Sequence, residues 1–242
     1  NKCMQCHVVC KDEKTQNCTS CHMPSSSSTD IMHVSITDHK IGIHTTNTQD
    51  KGAFLGLFSI NNPHPTNLSK AKAYLKQYES FQANPIYLDS AFYFLKKTDS
   101  NFPYFVQYYY LKNDDKGLIN FLMKNKVDTT KYSNIDLAMA YSRMGEVYVR
   151  NNMSNIAGEY FEKSTQIMPF VIDYKIKKGA FLLKQKKLKA SKAVFMSALK
   201  LNPTIKEIHL NLGYIYLLED NFKKADLYLE QALALDPDYI LA

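Results

Sequence analysis

Leu212-Gly213, followed by Tyr216, Ala225, Leu229, Ala232 and Pro237, sets small and large residues at spacings that suit two helices packed as a hairpin. The small residues let the helices approach, the large ones fill the gap toward a neighbouring hairpin, and the proline stops the second helix. The same arrangement precedes it twice. Gly145, Gly179 and Gly213 step by 34 residues, and so do Pro169, Pro203 and Pro237. The first copy supplies Tyr141, Gly145, Tyr148, Ala157, Phe161 and Pro169, and the middle one Gly179, Phe195, Ala198 and Pro203. The middle copy departs from its neighbours with Lys178 before the glycine, Leu182 where a tyrosine is usual and Ser191 where an alanine is usual.

A period of 34 with these packing positions is that of the tetratricopeptide repeat. We assign three such repeats to residues 138–239. Upstream, residues 67–137 read as more divergent helical hairpins, with helices expected over 68–81, 86–97, 104–111 and 118–124 and breaks at Pro85 and Pro103. Residues 47–66 read as a linker, and Ser25 to Thr29 and Asn61 to Pro65 as flexible stretches. Composition agrees with an all-α chain. The 242 residues hold only 8 Gly and 8 Pro, too little turn chemistry for a many-stranded sheet. A hydrophobic share of 45% with 22% charged residues is that of a core-forming polypeptide, not a disordered one. No apolar run reaches the roughly 20 residues that span a bilayer. The opening Asn1-Lys2-Cys3-Met4 has neither an initiator methionine nor a signal core, which reads as a mature or truncated product.

The chemistry sits at the other end. All five cysteines lie within the first 21 residues, as Cys3-Met4-Gln5-Cys6-His7, Cys10 and Cys18-Thr19-Ser20-Cys21-His22. Two copies of C-x-x-C-H are the attachment signal of c-type haem. Paired thiols at this spacing can each form a thioether to a vinyl group of the porphyrin, with the adjacent His7 or His22 as proximal iron ligand. A four-cysteine zinc knuckle, part of an iron–sulfur run and a disulfide framework are the competing readings. Neither metal alternative needs a histidine after each pair, and an odd cysteine count does not suit a disulfide framework. Two haems need two distal ligands. His33, His39 and His44 fall within twelve residues of one another; His33 and His39 are the preferred ligands, His44 is next and His64 more remote. Met23 and Met32 are thioether alternatives, but the local excess of imidazole points to bis-histidine iron. Iron ligated on both sides offers no open position to a substrate, so residues 1–46 read as a short irregular dihaem electron-transfer segment and the chain as a non-enzyme. A haem enzyme with one open iron, and a scaffold with structural haems, are the rival classes.

The run Cys21-His22-Met23-Pro24 with the following Ser25 to Asp30, then His33-Val34 and Thr37-Asp38-His39-x-Ile41, resembles the C-terminal haem-binding segment of bacterial multihaem cytochromes c that carry tetratricopeptide repeats. The resemblance spans about residues 1–65 in its haem part. It implies two covalently attached haems c, an extracytoplasmic location (periplasm, cell surface or outside the cell), redox protein partners and, in longer family members, further haem motifs upstream. With a haem motif so close to Asn1, we expect self-assembly into an oligomer or a conducting filament, the solenoid forming its outer sheath.

Charge divides along the chain. Residues 1–50 carry four basic against five acidic side chains, whereas residues 172–205 carry nine lysines against the single acid Asp173. Lys184, Lys186, Lys187 and Lys189 are expected at the turn of the middle repeat, as a ridge for an acidic partner or as a solvated face. No nucleic-acid recognition motif accompanies them, so nucleic acid is not an expected partner.

Overall fold

The computed structural model describes residues 25–27, 35–37, 54–99, 101–125 and 128–239. The chain divides between Gly56 and Leu57 into two units, a boundary inside the segment read as a linker. In the first, strand β1 (Ser25–Ser27) pairs antiparallel with β2 (Ser35–Thr37), Ser26 facing Ile36. The sequence reading has a flexible stretch at Ser25 and no strand in this segment. Extended backbone groups that find partners across a ladder need no side-chain periodicity to do so.

Among its described residues the second unit is all-α, an array of ten helices: α1 (Asn67–Ser80), α2 (Pro85–Leu95), α3 (Phe102–Leu111), α4 (Asp115–Lys124), α5 (Asn134–Arg150), α6 (Ser154–Ile167), α7 (Ile172–Lys184), α8 (Leu188–Leu201), α9 (Lys206–Leu218) and α10 (Phe222–Leu235). A 3₁₀ turn at Thr129–Lys131 precedes α5. They pack as successive hairpins, and the first helices of neighbouring hairpins also touch, as α3 does α5 and α7 does α9. Pro85 and Pro103, expected as breaks, lie in the first turns of α2 and α3, where the missing N–H has no intrahelical partner to lose. Side-chain caps hold several starts: Thr66 accepts from the amide of Ser69, Asn84 from Ile86, Asp114 from Gly117 and Ser133 from Asp136.

Four hairpin turns share one device. Asn113, Asn152, Lys186 and Asp220 follow the first helix of their hairpins with φ of 56, 60, 58 and 55°. The next amide reaches back five residues, from Asp114 to Tyr109, Met153 to Tyr148, Lys187 to Leu182 and Asn221 to Tyr216, at 2.8–3.0 Å. Asn and Asp tolerate this left-handed backbone; lysine has no side-chain bond to offset its strain. Lys186→Asn is expected to stabilise the array by about 0.5 kcal/mol, read as a higher midpoint in urea.

Between the helices of each repeat a glycine meets a large side chain. A Cβ on Gly145 would stand 2.8 Å from the Phe161 ring, one on Gly179 2.7 Å from Phe195 and one on Gly213 2.7 Å from Leu229. These contacts lie in or beside two buried clusters, one around Val106, Met144, Val147 and Phe161, the other around Phe195, Ile208, Leu212 and Ile215. A third cluster, around Leu75, Leu88, Leu95 and Tyr108, joins α1, α2 and α3. The irregular middle repeat adds polar contacts to this packing. Ser191 donates from Oγ to the Gly179 carbonyl at 2.8 Å, replacing apolar contact by a buried hydrogen bond, and Lys178 pairs with Glu162 at 2.6 Å.

Candidate interaction surface

Cys3, Cys6, His7, Cys18, Cys21, His22, His33, His39 and His44 lie outside the described residues, as do Cys10, Met23 and Met32. His64 is exposed ahead of α1, its amide donating to Asn62 Oδ1 at 2.9 Å. Among the described residues no three His, Cys, Asp or Glu side chains gather as a metal would need, and no helix is long and apolar enough to cross a membrane.

The described part offers three adjoining surfaces. The first is a polar ladder across the first helices of four hairpins. Gln107 donates to Glu79 at 2.7 Å, and Arg143 Nη2 pairs with the other Glu79 oxygen at 2.5 Å. The Arg143 guanidinium also lies 5.4 Å from the centre of the Tyr110 ring, whose hydroxyl donates to Glu146 at 2.7 Å. Lys177 then pairs with Glu146 at 2.8 Å and with Asp173 at 3.1 Å. Arg143 is 92% buried on the strength of its 8% exposure, so its charge requires Glu79 opposite. Nearby, Arg150 grips Asp115 through Nη2 at 2.6 Å and Nε at 3.1 Å. That bond holds the Asp115 carboxyl below its ordinary range, so its contribution is present above the unfolded value near 4 and is lost as pH falls through the folded one. Apart from the i,i+4 pair of Asp173 and Lys177, none of this ladder is visible in spacing, because its other partners stand 28 to 64 residues apart.

Aromatic stacking lies behind the ladder. Tyr108 stacks on Phe92 at 4.9 Å and meets Tyr109 edge-on at 5.2 Å; Tyr160 lies between Tyr141 and Tyr148 at 5.8 and 5.4 Å. The run Tyr108-Tyr109-Tyr110 is thus packing material and a ladder rung. Burial pushes the Tyr160 phenol up to about 12, and those of Tyr110, Tyr141 and Tyr148 upward as well. An unfolded chain releases these protons near pH 10, so it binds fewer protons than the native state above that value. Stability is therefore expected to fall as pH rises from about 10 toward 12, with phenolate absorbance appearing together with loss of helicity; phenolate formation with helicity intact would place these rings in water.

The second surface is the α7–α8 turn. Lys184 closes α7, Lys186 and Lys187 form the turn and Lys189 begins α8; all four are exposed, as the sequence spacing anticipates. The remaining lysines of this repeat are mostly engaged: Lys175 with Ser197, Lys177 and Lys178 as above, and Lys192 with Glu219. The third surface is a cleft of about 330 Å³ between α6 and α7, beside that turn. Gly158, Phe181 and Leu182 line it on the apolar side. Ser154 and Gln185 face it and bond to each other at 3.2 Å, and Lys187 joins it to the lysine turn.

Residues 172–205 and 206–239 each match a family model of the tetratricopeptide repeat. A search of curated proteins gives no match. Among solved structures, the chain is similar to YrrB, described as a TPR protein with an unusual peptide-binding site, at 16% identity over 72% of this chain and 87% of that one, with a TM-score of 0.55. It is similar to MamA protein at 16% identity over 71% and 96%, TM-score 0.53, and to the MamA RS-1 ArsTM double mutant at 15% identity over 70% and 96%, TM-score 0.56. At such identities the likeness is one of fold. Residues 172–239 are therefore two consecutive tetratricopeptide repeats, and the helical array around them has the fold of tetratricopeptide proteins.

Proposed function

We propose that this chain is an extracytoplasmic electron-transfer protein that binds two haems c covalently near its amino terminus and uses its helical repeats as the scaffold that holds partners. One observation carries the haem part: Cys3-x-x-Cys6-His7 and Cys18-x-x-Cys21-His22 within 22 residues. By ordinary residue frequencies a single such pentad arises in a chain this long on the order of one time in a thousand, and two so close far more rarely. The donor set suits the group, with four thiols for thioether bonds and His7 and His22 as proximal ligands. His33, His39 and His44 supply imidazoles for the opposite faces. Bound in that way, haem supplies reversible one-electron redox chemistry. The polypeptide tethers each macrocycle, sets its axial ligands and keeps two of them within reach: the eleven residues between Cys6 and Cys18 extend about 40 Å at most. Repeats contribute protein-binding surface, which supports redox protein partners and assembly of copies into a conducting filament.

Purification from the native host tests this reading. Intact mass is expected to exceed that of the polypeptide by two haems, with a low-spin ferric signal and reversible reduction. A colourless protein, or one holding zinc, overturns it; a high-spin iron that binds cyanide readily moves it to a haem enzyme.

A further inference from the structure

We propose that the outer face of α9–α10 seats the α1–α2 hairpin of a second copy, so that copies join head to tail and the helical array runs on from one chain into the next. The inference rests on the reading of the repeats as an assembly scaffold and does not depend on haem.

The 34-residue period shows what the tail face is shaped for. In the middle repeat Ile176, Leu183, Met196 and Leu199 pack against the cluster that holds α9. The equivalent positions 34 residues on are Leu210, Leu217, Glu230 and Leu233. Leu217 and Leu233 are 39% and 38% exposed, and no further hairpin covers them among the described residues. Phe222, Asp226, Glu230 and Leu233 follow at steps of four, four and three, which puts them on one side of α10, and all four are exposed. Asp226 and Glu230 have no ion-pair partner among the described residues. A terminal repeat that stays alone in water carries a polar outer face. This one sets two carboxylates among Leu210, Leu217, Phe222 and Leu233.

The head is its counterpart. Helix α2 turns Phe92 toward Phe105 and Tyr108 of α3, which leaves Ile86, Tyr93 and Lys97, at steps of seven and four, exposed on another side. Lys97 donates to the Tyr93 hydroxyl at 2.5 Å, and the Lys70 ammonium of α1 lies 5.4 Å from the centre of the Phe94 ring. Two ammonium groups thus frame an apolar patch, as two carboxylates do at the tail.

Sign decides the polarity of the joint. Residues 67–97 carry five lysines against Glu79 and Asp89, net +3, and residues 206–239 carry seven acids against three bases, net −4. Two heads or two tails would set like charge against like; a head on a tail brings Lys70 and Lys97 to Asp226 and Glu230. Such a pairing is heterologous, so symmetry does not stop it at two copies.

Sedimentation velocity on the full haem-loaded chain, over a range of concentrations at low salt, reads the association. Species that grow past the dimer are expected, with weaker association at about 1 M salt. D226K/E230K at the tail and K70E/K97E at the head are each expected to weaken it by about tenfold or more, since each sets like charges across the joint. An equimolar mixture of the two variants, and a chain with all four changes, are expected to regain it, because a basic tail then meets an acidic head. Circular dichroism checks the helicity of each variant, and the salt series on the unmodified chain tests the joint if a variant misfolds. A monomer at every concentration, growth that stops at a dimer, indifference to salt and to both pairs of changes, or a mixture that stays dissociated overturns the proposal. Haem content read on the same samples keeps the outcomes apart: a monomer with two haems sinks this joint and leaves the electron-transfer reading standing, and assembly of a chain without haem does the reverse.

Discussion

Phe195→Ala is expected to cost about 3–5 kcal/mol, the range for deleting a large buried ring, and to unfold the last two repeats well before the first hairpins. Phe195 is fully buried, lies against Gly179 within α7–α8 and belongs to the cluster of Ala198, Ile208, Leu212 and Ile215. Its removal leaves a void bounded on one side by helix backbone, which cannot collapse into it without bending α7. Total stabilities of single domains are only about 5–15 kcal/mol, so this one change takes a large share. In an array whose hairpins touch only their neighbours, the loss is local: urea denaturation should split into two transitions, the first belonging to residues 172–235. Phe195→Leu is the contrast. Leu229 holds the equivalent place one repeat later, against Gly213, so leucine should cost under about 1.5 kcal/mol. Equal stability of the alanine variant and the unmodified chain would mean that this ring does not hold the two repeats together.

The same pair of residues explains what was legible beforehand. Gly179 and Phe195 recur at a step of 34 because helix approach and gap filling are set by side-chain size, a property written directly in sequence. The exposed lysine turn was legible for the same reason, since fixed repeat length places the turn. Ser191 and Lys178 read only as departures from pattern; their partners, the Gly179 carbonyl and Glu162, are reached through folding, not through spacing. The Glu79–Arg143 pair is the extreme case, two ordinary surface-type residues 64 positions apart that pair when α1 and α5 are brought together, the arginine buried and the glutamate still exposed. Pro85 and Pro103 were legible as breaks between helices, and the structure puts each in the first turn of the helix that follows, one or two residues from the expected start. The cleft was not legible at all, because it is a shape left between α6 and α7. The two C-x-x-C-H pentads are legible as a pattern, and on the proposed function that is because covalent haem attachment demands fixed residue types at fixed spacing.

Exchanging Cys18 and Cys21 together for serine is expected, on the proposed function, to remove one haem by intact mass while the helical spectrum of the array persists. Both thiols of one pentad are lost, so His22 alone would have to hold a macrocycle that no covalent bond retains. The Cys3 and Cys6 pentad is untouched and keeps its haem, giving a mass difference of one group and about half the haem absorbance. Helicity should survive because, among the described residues, the helices of the array form three buried clusters with one another. The two readouts divide the possible failures. Unchanged mass relative to the parent protein would show that no thioether forms at this pair, which removes the electron-transfer reading. Zinc lost in step with the cysteines would replace haem by a structural metal. Collapse of helicity with one haem gone would mean that the amino-terminal segment caps the first hairpin, and that cofactor attachment and repeat folding are a single event.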